Sequence, residues 1–275
     1  MDYREILYEV SDRVATITLN RPEKLNAWTF SMEREWRHAL ADAAQRADVR
    51  AIILTGAGRG FCAGADFGLL SSLQDGTFDS SEVPFDNEPS ATDQKVRDDF
   101  RKPYTFPPGI RKPIIAAING PVYGLGLVHA LFCDVRFASE QATFSTAFVN
   151  RGLIAEHGIA WILPRLVGLE NALDLLLSGR KVDAAEALRM GLVSRVVAPE
   201  ALLPEARSYA RQLATLSSPR SMAVIKRQVW DGLLMGLGPA TDIAIQEMLE
   251  SFGADDFREG VLSFLEKRTP NFTGE

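Results

Sequence analysis

A chain of 275 residues with 46% hydrophobic and 24% charged side chains is long enough to bury a sizeable core and has the make-up of a soluble globular protein. Its 36 acidic and 30 basic residues leave a formal charge of −6 and are mixed along the chain, so there is no basic stripe to neutralise nucleic-acid phosphates. Cys62 and Cys133 form no CxxC pair, the opening MDYREILYEV carries no leader pattern, and no window approaches 18 uninterrupted apolar residues; the expectation is a cytoplasmic protein with no disulfide framework, no metal site and no membrane span.

From the N-terminus, ILYEV and VATITLN are β-branched runs separated by SDR, which predicts a hairpin over residues 5 to 19. The segment SMEREWRHALADAAQRA has helical spacing, with Ser31 as the expected cap and Glu33 and Glu35 in the first turn near the positive end of the helix dipole. AIILT (51 to 55) and PIIAAIN (113 to 118) read as buried strands, each running into a glycine-rich turn, GAGRGFCAGAD and GPVYGLG; CDVRFAS (133 to 139) is the next strand. Strand, glycine turn and helix in repeated order imply parallel pairing through crossover connections. Residues 70 to 110 are polar, irregular and rich in proline, a length of loop that is usually functional. Beyond residue 160 the strand signal is confined to GLVSRVV (191 to 197), and helical periodicity runs through 200 to 217, 219 to 235, 239 to 252 and 255 to 267. The expected division is an α/β core over 1–199 and a C-terminal helical region over 200–275.

Neither GAGRGF nor GLGLVH has the third glycine that a dinucleotide fingerprint needs. Glycines after a strand also let main-chain N–H groups converge on an anion or a polarised carbonyl without side chains in the way. Two such turns can build one oxyanion hole, or each can be no more than a tight strand-to-helix connection.

RPEKLNA at 21 to 27, FCAGAD at 61 to 66, KPIIAAINGPVYGLG at 112 to 126, the CD at 133 to 134, GLVSRVV at 191 to 197 and FREGVLSFLEKRTPNF at 257 to 272 together resemble the crotonase superfamily of enoyl-CoA hydratases and isomerases, in the family's order and over nearly the whole chain. The resemblance implies a crotonase-like fold of repeated ββα turns with a C-terminal helical region, assembly into homotrimers or hexamers, and an acyl-CoA thioester as ligand, so that coenzyme A arrives with the substrate and no cofactor is permanently bound. It implies that the N–H groups of Ala65 and Leu125 hold the thioester oxygen, with Gly64, Gly124 and Gly126 giving the backbone room and Ala63 beside them at the substrate. It further implies that Lys24 lies near the CoA nucleotide and that Phe264 and Lys267 reach the adenine and phosphates, often from a neighbouring subunit. Asp66 and Asp134 match the motifs as turn- and strand-fixing residues. Leu125 stands where the family commonly has glycine, which is tolerable if its φ is negative.

The chain departs from the family at the two glutamates that hydratases use. Those positions fall at Val128 and Phe148, neither of which can move a proton. Dienoyl-CoA isomerases, 3-hydroxyisobutyryl-CoA hydrolases and 4-chlorobenzoyl-CoA dehalogenases carry an acid eight positions beyond the second of them, and here that offset lands on Glu156, within RGLIAEHGIAW. Ile154, Ala155, Ile159 and Trp161 are expected to desolvate Glu156 and raise its pKa toward the range of proton transfer. Its other reading is an acid at the start of the helix through GIAWILPRLVG. His157 is either a second acid/base or a hydrogen-bonding side chain, and His129, pointing about 100° from Val128 on a helix, reads as a core histidine. Three activities stay open: an enolate-based isomerisation or nonstandard hydration, thioester hydrolysis, and noncatalytic acyl-CoA binding.

Overall fold

A computed structural model describes residues 1–77 and 96–275. Strands β1 (Ile6–Ser11) and β2 (Val14–Leu19) form the expected hairpin, and its two-residue turn holds Asp12 and Arg13 at positive φ, the hand that matches strand twist. β2 then pairs in parallel with β3 (Ala51–Gly56), β3 with β4 (Ile114–Ile118), β4 with β6 (Val135–Ser139), and β6 with β9 (Arg195–Val197), so only the hairpin is antiparallel in a six-stranded sheet. β4 is buried throughout and β3 except at its terminal glycine, which is why they read as unbroken apolar runs rather than alternating ones. A second, three-stranded sheet holds β5 (Val122–Tyr123), β7 (Thr143–Ser145) and β8 (Val182–Asp183).

The repeat unit is a strand in the large sheet, a short pairing in the small one, and a helix. β3 leads to a bridge between Cys62 and Val122 and then α2 (Phe67–Gln74); β4 leads to β5 and α3 (Leu125–Leu131); β6 leads to β7, a 3-10 turn at Val149–Arg151, and α4 (Ile159–Val167). Both glycine turns therefore come out on the same side of the sheet, beside the small one.

α1 (Phe30–Gln45) buries Met32, Trp36, Ala39, Leu40 and Ala43, a helical stripe in which each large side chain contributes about 1.5–3 kcal/mol. Its cap is Thr29, not Ser31: Thr29 is the extended residue, and its hydroxyl accepts the Met32 N–H at 3.0 Å, while Ser31 is already inside the first turn. Glu35 is in the second turn and accepts the N–H groups of Arg4, Glu5 and Ile6 at 3.0, 2.8 and 3.1 Å, tying α1 to the edge strand.

α5 (Leu169–Ser178) and α6 (Ala184–Arg189) follow α4, and α7 (Leu202–Leu216) opens the helical part. α7 is no appendage. Its Leu202, Ala206 and Ala210 pack on Val14, Ala51, Ile53, Ile115 and Ala117, closing the face of the sheet opposite α1 and α3. α8 (Pro219–Gly232), α9 (Leu237–Phe252) and α10 (Asp255–Glu266) lie beyond it, with Leu237 at 85% and Phe264 at 82% of full exposure. α8 is fastened to the core through Asp134, whose carboxylate takes Lys226 Nζ at 2.7 Å, Trp230 Nε1 at 2.9 Å and the Ile114 N–H at 2.7 Å.

The long loop expected over 70 to 110 divides into three parts. Its first residues complete α2, residues 78–95 lie outside the described residues, and residues 96–110 turn inward, burying Phe100, Tyr104, Phe106 and Ile110. No helix among the described residues is long and apolar enough to cross a membrane.

Candidate active site

RPEKLNA folds into a 3-10 turn (Pro22–Lys24) followed by Leu25 and Asn26 at positive φ, and its function in the fold is to carry the first glycine turn. Buried Asn26 donates to the carbonyls of Ala57 and Gly60 at 2.9 and 2.8 Å, and the Ala63 N–H donates to Leu25 O at 3.0 Å. Trp28 then brackets Ala65: its N–H donates to Gly64 O at 2.7 Å and its carbonyl accepts the Asp66 N–H at 2.9 Å. The Ala65 N–H lies between those bonds and makes no hydrogen bond among the described residues.

The second turn comes up against the first. Gly64 has φ +98°, and a Cβ there would lie 3.1 Å from Tyr123 O and 3.9 Å from Gly124 Cα; Gly124 has φ +50°. Both residues need glycine, one for conformation and contact, the other for conformation. Leu125 begins α3 with a φ that is not positive, so its side chain is accommodated without strain, and its N–H likewise has no partner among the described residues. Two amides on touching turns can grip one carbonyl oxygen.

These turns line a cleft of about 600 Å³. Among the expected residues, Lys24, Ala63, Gly64, Ala65 and Asp66 border it from the first turn, Gly124 and Leu125 from the second, and Phe148, Glu156 and His157 from the segment before α4. Four do not border it in this chain. Gly126 faces Cys62, and a Cβ there would come 2.6 Å from Cys62 Cβ, so this glycine brings α3 against the first turn rather than opening the cleft. Val128 is fully buried, while Phe264 edges a separate depression on α8 and α10 and Lys267 ends α10 in the left-handed conformation. Ala147, Arg151 and Leu153 line the cleft unannounced; their one trace in the sequence is that Ala147 adjoins Phe148 and the other two fall between Phe148 and Glu156.

Of the two carboxylates in the cleft, Asp66 is committed. It caps α2 through the Gly68 N–H at 2.9 Å and pairs with Arg21 at 2.9 Å; burial alone would push its carboxyl up, but these two partners hold it below the usual range. Glu156 is placed otherwise. α4 is capped by Gly158 with no side-chain bond and has no acid in its first turn, so the Glu156 side chain does not cap the helix, although its carbonyl accepts the Ile159 N–H at 3.0 Å. Its carboxylate is half-buried, desolvation raises its pKa, and His157 Nε2 lies 3.4 Å from its Oε2. Ile154 is not the desolvating neighbour: it is 77% exposed, because the chain turns outward before Glu156. Burial holds the His157 imidazole down at about 4, so it is neutral near pH 7 and does not stabilise the Glu156 charge as an ion pair.

Tyr123, which also lines the cleft, and the two cysteines offer no free reactive group among the described residues. Tyr123 OH is engaged with Thr143 Oγ1 at 2.8 Å, and Cys62 and Cys133 are fully buried, their thiols pushed up to about 12 by desolvation.

A family model described as enoyl-CoA hydratase/isomerase matches residues 9–275. The chain belongs to the enoyl-CoA hydratase/isomerase family. As a member it is an acyl-CoA enzyme of hydratase/isomerase type, and its mixed α/β architecture is the crotonase fold. A Rhodobacter capsulatus protein described as a probable enoyl-CoA hydratase is 37% identical over 274 residues, covering 100% of both chains. The 1,2-epoxyphenylacetyl-CoA isomerase of Escherichia coli is 34% identical over 270 residues, covering 98% of both. The crystal structure of an enoyl-CoA hydratase from Bacillus anthracis matches with a TM-score of 0.86 at 29% identity, covering 99% of this chain and 100% of that one.

Proposed function

We propose that this enoyl-CoA hydratase/isomerase family member moves a carbon–carbon double bond in an acyl-CoA thioester. The Ala65 and Leu125 N–H groups hold the thioester oxygen. Glu156 takes a proton from the carbon γ to the carbonyl, the electron pair delocalises onto that oxygen as a dienolate, and the same proton returns to the α carbon. One carboxylate is sufficient because the step consumes and releases no water. The observation that carries this reading is that Glu156 is the one carboxylate lining the cleft, among the described residues, that no arginine or backbone N–H engages. Val128 and Phe148 supply no acid for the two-glutamate addition of water, and the E. coli relative is itself named as an isomerase of a CoA ester.

Lys24 at the cleft edge meets the CoA nucleotide in this reading. Phe264 and Lys267, outside the cleft of their own chain, reach it from a neighbouring subunit of a homotrimer or hexamer, which the exposed apolar side chains of α9 and α10 support. The two free, buried thiols support action in the cytoplasm. A second reading, thioester hydrolysis, draws on the neutral imidazole of His157 beside Glu156, a pair able to orient water.

A panel of 2-enoyl-, 3-enoyl- and 3-hydroxyacyl-CoA esters separates these outcomes. Interconversion of 2- and 3-enoyl esters without release of free thiol is the expected result; free thiol establishes the hydrolase, and calorimetric binding without turnover establishes a binding protein. The oxyanion grip has its own check. Gly64→Ala forces a Cβ toward Tyr123 O at a left-handed φ, and kcat is expected to fall toward the roughly 10²–10³-fold loss that follows removal of one oxyanion donor, with the ester still bound. Steady-state kinetics at wild-type rate would remove Ala65 from the mechanism.

A further inference from the structure

Four rings that the proposed chemistry does not use connect the two amides to Glu156. Trp28 stacks on His129 with centroids 3.8 Å apart and planes 24° apart, the Tyr104 ring meets His129 edge-on at 5.6 Å, and His157 lies 4.3 Å from Tyr104. Each chemical group is anchored to this column. Trp28 brackets Ala65 with its own N–H and carbonyl, and His129 stands one helical turn beyond Leu125 on α3. His157 adjoins Glu156 in the chain and is held at φ 54°; the Gly158 that follows, at φ +79°, packs closely between Thr105, next to Tyr104, and Phe132, at the end of α3, where a Cβ would come within 3.2 and 3.3 Å of their side chains.

His129 is the member that stability does not explain. It is fully buried, and neither ring nitrogen has a hydrogen-bond partner among the described residues. Glu33 Oε2 is 3.8 Å from its Nε2, beyond hydrogen-bond reach, and the Glu33 carboxylate is already taken by Trp28 Nε1 at 2.9 Å and by Arg37 at 2.6 Å. A buried polar group left unpaired costs stability that an aliphatic side chain would not. What the imidazole supplies is a flat, stiff ring that an indole face and a phenol edge can hold in one orientation.

We infer that His129 is a positioning residue whose ring, clamped between Trp28 and Tyr104, sets the separation of the Ala65 and Leu125 amides and registers Glu156 against them. This rests on the reading that those amides grip the thioester oxygen, and the test separates the two. Three variants are compared: His129→Leu, which removes the flat ring; His129→Phe, which keeps a flat ring without nitrogens; and Tyr104→Leu, which removes the clamp on the other side. The readouts are kcat and KM on the turned-over ester, the thermal midpoint, and the 13C resonance of a 2-enoyl-CoA labelled at the thioester carbonyl, bound in the Glu156→Gln background so that the ester persists. His129→Leu is expected to melt no lower than the parent, to lose about ten- to a hundredfold in kcat with KM little changed, and to show a smaller carbonyl displacement; His129→Phe is expected to recover most of both. Tyr104→Leu gives the same kcat loss and carries the test if His129→Leu does not fold. Undiminished kcat and carbonyl displacement in the leucine variants overturn the inference, as does equal impairment of His129→Leu and His129→Phe, which would mean that the ring nitrogens matter. No carbonyl displacement in the parent overturns the oxyanion reading itself.

Discussion

Glu156→Gln is expected to abolish turnover, by at least the 10²–10⁴-fold that a general acid/base typically contributes, while acyl-CoA esters bind with nearly unchanged affinity. Glutamine keeps the shape and the polar contact to His157 but has no site that takes a proton at neutral pH. In the proposed reading binding survives because the ester is held by main-chain N–H groups of the two glycine turns, which the substitution does not touch. Kinetics and calorimetry on the same variant check both halves, and a kcat near the parent's would take Glu156 out of the mechanism. The pH profile gives a further reading. A base works deprotonated, so kcat/KM falls as pH drops through the Glu156 pKa; desolvation raises that value, and the acid limb is expected above the ordinary glutamate value of about 4.3. Because His157 is held down at about 4, no limb is expected at the ordinary histidine position of about 6.5.

Asp134→Ala has the largest expected effect on stability, a loss of about 3–5 kcal/mol, the usual cost of stranding one partner of a buried ion pair. The Asp134 and Lys226 side chains are 15% and 7% exposed, so water does not readily replace the carboxylate. Lys226 would keep only the carbonyls of Pro107 and Lys112, at 3.2 and 3.0 Å, and the N–H groups of Trp230 and Ile114 would lose their acceptor. At about 2–4 °C per kcal/mol for a chain of this size class, the melting temperature should drop by roughly 6–20 °C at fixed protein concentration. A loss below about 1 kcal/mol would show that α8 is held by its apolar contacts alone.

Residues whose function depends on nearest neighbours in the chain were readable in advance. The hairpin and the buried strands follow from side-chain pattern, and the placement of Gly64, Ala65, Gly124 and Leu125 in one cleft follows from glycine turns after parallel strands, because that topology brings successive turns out on the same side of a sheet. Glu156 was found by its offset from Phe148 and does border the cleft. The readings that failed depended on direction. Ser31 and Thr29 are both competent caps by residue type, and only the backbone dihedrals choose between them. Ile154 is as apolar as Ile159, yet one faces solvent and the other the core, because two successive left-handed residues, His157 and Gly158, reverse the chain just after Glu156.

From the sequence alone came the resemblance to the family, the two glycine turns, and the expectation that Val128 and Phe148 stand at the two hydratase glutamate positions with Glu156 eight residues on, since residue identity and spacing are covalent facts. The tertiary structure alone decided that Asp66 is taken by Arg21 while Glu156 is left to the cleft, that Val128 is fully buried and does not line it, and that His129 is stacked on Trp28 and met edge-on by Tyr104 without a hydrogen-bond partner among the described residues. Burial and partnership are set by groups distant in the chain that packing brings within a few ångströms, and no local pattern encodes which of them will meet.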